Sequence, residues 1–292
     1  MISRLPFWFC KIYFLILSFV CRNLLQGKIV KQIRNSVNSV RWPEIKWSPV
    51  DVKVGDKSNI MLIPHLGEFD GDALFINELQ YEKPVFIWLE KNCSERYDLV
   101  IEIGANAGVY TCFLGKLLDE QGKRIIAFEP SPTAYSRLQA NLQNNKLNSS
   151  LAFPAAVADS PGWVTLYEPL DHLTNGSLDR EFAGYFSDQI KETTVPAVDA
   201  GFLENLVNKG ERVLLKIDVE GYEPVLLASL EKFLQHHQAD IIIEVLKETE
   251  GAISDWLAGR SYTTSLFTEK GLEESEFCAK ESARDWLFEC LT

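Results

Sequence analysis

The chain is poor in the residues that staple or metallate small folds. Its 292 residues hold four histidines and six cysteines, and no pair of either stands in a CxxC or HxxxH spacing. Such spacings mark the common zinc motifs, so no metal site is assigned from the sequence, and a chain of this size needs no disulfide framework to fold. Scattered as Cys10, Cys21, Cys93, Cys112, Cys278 and Cys290, the thiols suit a reduced, cytoplasmic protein. There is no internal repeat and no low-complexity tract, which argues against a solenoid and against a long disordered tail. Positive charge is also scarce, with 29 Lys and Arg against 41 Asp and Glu. What there is lies at one end: residues 1–46 hold eight basic residues and only Glu44 as an acid. The rest of the chain is strongly acidic and would repel a phosphate backbone, so nucleic acid is not the expected partner.

Residues 5–21 read LPFWFCKIYFLILSFVC, apolar except for Lys11. That is about the minimum of ~17 residues needed to span a bilayer. Three readings stay open: a signal anchor, an amphipathic helix lying on a membrane, or a helix packed on the soluble body. A cleaved signal peptide fits less well, because Arg22, Asn23, Leu24 and Leu25 replace the small cleavage residues. Residues 1–40 are therefore treated as an apolar and basic N-terminal segment, whose residues 5–25 would meet a membrane in the first two of these readings. If the segment spans, the basic cluster Arg22, Lys28, Lys31 and Arg34 would keep the body on the cytoplasmic face. Residues 41–80, with Pro43, Pro49 and Gly55, read as a linker and N-terminal extension.

From residue 81 to 292 the pattern is regular. A helix opens at Pro84. Strands are expected at 98–103, 124–128, 151–157, 212–217 and 240–245, with a hairpin strand at 163–168 and further strands at 261–267 and 285–291. Helices are expected at 108–119, 131–145 and 223–236. Short, continuously apolar strands alternating with helices imply an α/β fold: a doubly wound, mostly parallel sheet covered by helices on both faces.

Glu102-Ile-Gly104-Ala105-Asn106-Ala-Gly108 closes the first strand and opens a helix. Glycine lets the chain turn tightly there and lets backbone N–H groups approach a ligand. The dinucleotide fingerprint G-x-G-x-x-G is not met, since Asn106 stands at its second glycine. Glu129 ends the second strand, where a carboxylate can accept hydrogen bonds from both hydroxyls of a ribose. Lys216-Ile-Asp218-Val-Glu220-Gly-Tyr-Glu223 ends the fourth strand. If that strand neighbours the first, the two motifs meet at the switch point of the sheet, the crevice where open α/β sheets bind ligands.

Together EIGANAG, AFEPSP, FPAAVADS and KIDVEGYE resemble the FkbM family of methyltransferases, over roughly residues 80–246. The resemblance implies a class I, Rossmann-like methyltransferase domain over residues 81–292, with S-adenosylmethionine as cofactor. It implies O-methylation of a hydroxyl on a saccharide, glycan or secondary metabolite. By the same resemblance Glu102, Gly104, Ala105, Asn106 and Gly108 would line the methionine end of the cofactor. Glu129 would hold the ribose, and Asp159 would sit near the adenine.

Methyl transfer from a sulfonium needs alignment above all, and an alcohol acceptor must also lose a proton. Asp218 is the first candidate to orient the acceptor or take that proton, and Glu220 the second. Lys216 would pair with one of them or steady developing negative charge. Asp218, Glu220 and Glu244 have the oxygen chemistry of a magnesium or manganese site, but nothing in their spacing demands an ion. His172, in the polar stretch 169–190, is a further candidate base if that stretch closes as a lid. Two rivals stay open: a nicotinamide-dependent oxidoreductase on a similar sheet, and a noncatalytic membrane-tethered module that kept the fold.

Overall fold

We describe a computed structural model of the chain, covering residues 48–63, 82–170, 175–278 and 284–291. The apolar run 5–21, its basic flank and His172 lie outside the described residues. Among the described residues no helix is long and apolar enough to cross a membrane.

Strands β3 (Leu99–Ile103), β4 (Arg124–Phe128), β9 (Val213–Ile217) and β10 (Asp240–Glu244) form the centre of an eight-stranded sheet. All five residues of β3 and all five of β9 are buried, as expected of strands covered on both faces. With β5 (Leu151–Phe153) at one edge, these five strands run parallel in the order β10-β9-β3-β4-β5. On the other side β13 (Asp285–Cys290), β11 (Tyr262–Thr268) and β12 (Gly271–Glu274) add on antiparallel. The eighth strand, β12, is short and largely exposed, which leaves it without an apolar signal.

Alternation along the strands feeds two cores. One face of the sheet, with Val100, Ala127, Leu214 and Ile242, packs on α1 (Lys83–Arg96), α2 (Val109–Asp119) and α3 (Pro132–Asn144). The other, with Ile101, Ile103, Leu215 and Ile243, packs on α5 (Ala200–Glu204), α6 (Glu223–Ser229), α7 (Glu231–His237) and α8 (Glu250–Leu257). A second sheet of three strands, β6 (Ala156–Val157), β8 (Ile190–Val198) and β7 (Gly162–Pro169), carries α4 (Arg180–Phe186).

Three expectations are corrected. The expected single strand 151–157 is two: β5 pairs with β4, and β6 pairs with β8 in the second sheet. Pro154 falls at the break, where a residue without an N–H cannot extend a ladder. The expected helix 223–236 is divided at Leu230 into α6 and α7. There Ser229 Oγ donates back to the Leu226 carbonyl at 2.8 Å, a contact that bends helices. Part of the expected linker is instead a hairpin of β1 (Val50–Val54) and β2 (Ser58–Leu62). Its Val50, Val52, Val54, Ile60 and Leu62 join the first core. The exposed Asp51 and Lys53 alternate with those valines, which is the period of a half-buried strand.

Candidate active site

Chain order in the main sheet reverses between β3 and β9. From β3 the chain moves outward to β4 and β5, then returns to lay β9 on the other side of β3. The C-terminal ends of β3 and β9 therefore border a crevice, and their loops meet across it. Asp218 N–H donates to the Ile103 carbonyl at 3.0 Å. A Cβ on Gly104, whose φ is +90°, would lie 1.7 Å from the Asp218 carbonyl oxygen. Two loops over a hundred residues apart are thus in backbone contact, and only glycine fits at the contact.

The turn after β3 is held from β4. Gly104 and Ala105 N–H both donate to the Phe128 carbonyl at 3.0 Å. Asn106 takes the left-handed conformation, φ 50°, and its N–H donates to Glu129 Oε2 at 2.7 Å. The other oxygen of Glu129 accepts from Ser131 N–H at 2.7 Å. Burial pushes the Glu129 carboxyl up to about 7 despite these two donors. Gly108 serves the packing of α2 on α3, because a Cβ there would meet Leu138 of α3 at 2.3 Å.

Glu102 is placed behind the turn. It is buried, accepts from Thr111 Oγ1 at 2.6 Å, and stands opposite Lys216 in the strand register. Burial pushes its carboxyl up to about 8, against the pull of Thr111 and of the Lys216 charge. Lys216 is buried as well, with Nζ 2.7 Å from Asp218 Oδ2 and 4.7 Å from the Tyr110 ring centroid. Burial works against its charge, but Asp218 and the neighbouring carboxylates outweigh it, and the ammonium is held above its ordinary range. The carboxylate of Asp218 is therefore fixed at the crevice by a buried lysine.

The loop beyond Asp218 is shaped by Glu223, whose place in the sequence suggests only a helix opener. As the first residue of α6 it is buried and reaches back to accept from Val219 and Gly221 N–H, each at 3.0 Å. Glu220 takes φ 51° and accepts from Asn175 Nδ2 at 3.2 Å. A Cβ on Gly221 would meet the Phe182 ring at 2.6 Å, so α4 lies against this loop. Asp159, just past β6, is exposed and accepts from the Tyr222 hydroxyl at 3.5 Å. Carboxylate oxygens of Asp218, Glu220 and Glu244 lie within 4.8 Å of one another. Burial and the Asp218 charge push Glu244 well up, while Arg284, 3.3 Å away, pulls it down. The rim of the crevice carries the carboxylates of Asp218, Glu220 and Glu244, and the buried Lys216 lies at its base.

The profile described as the methyltransferase FkbM domain matches residues 102–264, from the acid closing β3 to the start of β11. The chain belongs to the FkbM methyltransferase family. Its enzyme class is that of the family, the S-adenosylmethionine-dependent methyltransferases. Methyltransferase 1 of Beauveria bassiana (strain ARSEF 2860) is 24% identical over 203 residues, 64% of this chain and 75% of its own. Among solved structures, methyltransferase FkbM of Methylobacillus flagellatus KT aligns with a TM-score of 0.42 at 15% identity. That alignment covers 66% of this chain but only 44% of the other's length. The tRNA (uracil-54, C5)-methyltransferase of Pyrococcus abyssi, in complex with S-adenosyl-L-homocysteine, gives a TM-score of 0.43 at 10% identity. There 85% of this chain and 50% of that one are covered.

The FkbM-type turn also has supports to which the motifs do not point. Ser131 caps α3 through its Oγ, and the same hydroxyl donates to Glu168 Oε1 at 2.7 Å. Glu168 lies in β7 with no exposed surface, and its other oxygen takes Lys191 Nζ at 2.8 Å and Thr193 Oγ1 at 2.9 Å. The second sheet is thus wired to Ser131, whose N–H holds Glu129. The only sequence sign of this is an acid in a strand of otherwise apolar and neutral residues.

Proposed function

We propose that the chain transfers a methyl group from S-adenosylmethionine to a hydroxyl of a saccharide, glycan or related secondary metabolite. The observation that carries this reading is the backbone contact of Gly104 with Asp218, beside a Glu129 carboxylate already oriented by two N–H groups. The donor set suits the cofactor. Each oxygen of Glu129 keeps a lone pair for a ribose hydroxyl. The negative rim suits a cationic sulfur and disfavours phosphate. When bound, S-adenosylmethionine supplies a methyl group on a positively charged sulfur.

The residues of the chain do the rest. Gly104, Ala105 and Asn106 form the turn that meets the methionine portion, and Gly108 sets that turn by letting α2 close on α3. Glu102 supports the turn from behind, and Asp159 borders the adenine side. Asp218 orients the acceptor hydroxyl and takes its proton as the oxygen is methylated. Lys216 holds Asp218 in place for this. Glu220, on the same loop and joined to Asn175, contacts the acceptor.

Calorimetric titration of the full chain with S-adenosylmethionine, and in parallel with NAD, tests the reading. Saturable binding of the methyl donor and none of NAD is expected. Binding of NAD alone would replace it with the oxidoreductase reading. With the donor bound, transfer to RNA fragments but to no saccharide would overturn the acceptor class.

A further inference from the structure

Two residues join the C-terminal end of α7 to the first residue of β10, at the N-terminal ends of the central strands and so at the end of the sheet away from the crevice. Two adjacent histidines end that helix, and Glu204 ends α5 beside them. Glu204 Oε2 lies 2.8 Å from His237 Nε2 and 3.3 Å from His236 Nδ1. Neighbouring residues of a helix point about 100° apart. The two rings meet that oxygen through different nitrogens, Nδ1 of His236 and Nε2 of His237. Phe233, one turn earlier, lies 4.6 Å from the His237 ring, and the two imidazoles lie 4.6 Å apart. The three donor atoms all fall within 4.8 Å of one another.

We propose that Glu204, His236 and His237 bind a divalent transition-metal cation, with Zn2+ as its best match. Two imidazole nitrogens and a carboxylate oxygen are ligands zinc prefers, whereas magnesium and calcium favour sites built of oxygen alone. Zinc bonds of about 2.0–2.2 Å in a tetrahedron place donor atoms roughly 3.3–3.5 Å apart, which the 3.3 Å pair meets and the 2.8 Å pair reaches by opening about half an ångström. A divalent ion there binds with His236 Nδ1 and His237 Nε2 unprotonated, both of which face the carboxylate. The fourth position opens to solvent on the His236 side, since that ring is 72% exposed. His237 is largely covered, so the ion is held against the helix. Such an ion clasps α5, which follows β8 of the second sheet, to α7 on the main sheet.

The test uses the untagged full chain, stripped with chelator and titrated with zinc chloride. Millimolar magnesium is present to fill groups made of carboxylates alone. One equivalent of Zn2+ should bind, and at a hundredfold excess over Kd the Tm should rise by on the order of 5 °C. His236→Ala and Glu204→Gln, both at partly exposed side chains, should keep the fold by circular dichroism and lose at least tenfold in zinc affinity. The proposal is overturned by absence of saturable binding, or by either variant binding within twofold of the parent.

Discussion

The two sheets hold their functional residues in place by different means. In the main sheet the crevice is fixed by backbone: Gly104 abuts the Asp218 carbonyl, Asp218 N–H pairs with Ile103, and Asn106 N–H pairs with Glu129. In the second sheet, β7 and β8 are half exposed, and position depends on side chains gathered around Glu168. Backbone contacts tolerate almost no substitution. A side-chain network is satisfied by chemistry and can be retuned one group at a time.

The sharpest break of that comparison is a pair of glycines. Gly104→Ala puts a methyl 1.7 Å from a backbone oxygen and should cost more than about 4 kcal/mol or prevent folding. Gly162→Ala, at the start of β7, meets nothing within 4 Å and carries only the strain of φ +142°, on the order of 1–2 kcal/mol. Denaturant unfolding of the two variants measures the gap. Equal costs would mean that the crevice turn yields as easily as the second sheet.

Asp218→Asn comes next. The amide keeps the shape but cannot take a proton, so turnover should fall by about a hundredfold while donor affinity stays within severalfold. Unchanged turnover would remove Asp218 from the chemistry and leave Glu220 as the acid to test.

How far each region is legible in the sequence follows from the same difference. Strands β3, β4, β9 and β10 stand out because burial on both faces demands continuous apolar runs. The meeting of EIGANAG with KIDVEG follows from strand order alone. The second sheet gives a weaker signal. β8 reads IKETTVPAV, with polar residues and Pro196 interrupting the alternation that would mark it as a strand. Helix α4 has only seven residues inside a polar stretch. The role of Glu168 depends on partners 37 and 23 residues away, which no local pattern announces. The hairpin β1–β2 is legible in its alternating valines, but the nearby prolines and glycine point toward a linker.

Glu168→Gln tests whether the side-chain network reaches the crevice. The variant keeps the shape and removes the charge that faces Lys191, whose side chain is 47% exposed and so partly screened. Loss of about 1.5 kcal/mol in stability is expected. If Ser131 transmits the change, donor affinity falls severalfold while turnover at saturating donor is unchanged. A stability loss without any change in donor affinity would confine Glu168 to the second sheet.

The last effect is one of sign. Burial opposes the charge of Glu168, but Lys191, Ser131 and Thr193 outweigh it and hold the group below its ordinary value. Its contribution to stability is present above the unfolded pKa and fades as pH falls through the folded one. Glu129 behaves oppositely. Burial raises it from 4.5 to about 7, so the folded state keeps a proton that the unfolded state has lost. Stability from that group therefore declines as pH rises through 4.5 to 7, and Glu102 extends the decline toward 8. Glu129→Gln should flatten the fall in stability between about pH 5 and 7.5 by roughly 2 kcal/mol, while Glu168→Gln, which removes one of the charges that raise Glu129, should only draw the upper end of that window to lower pH. In the parent, donor binding should tighten as pH rises through about 7, because the ionised carboxylate is the better acceptor for ribose hydroxyls. An affinity that is flat with pH would mean that Glu129 is not the ribose ligand, whatever its effect on the fold.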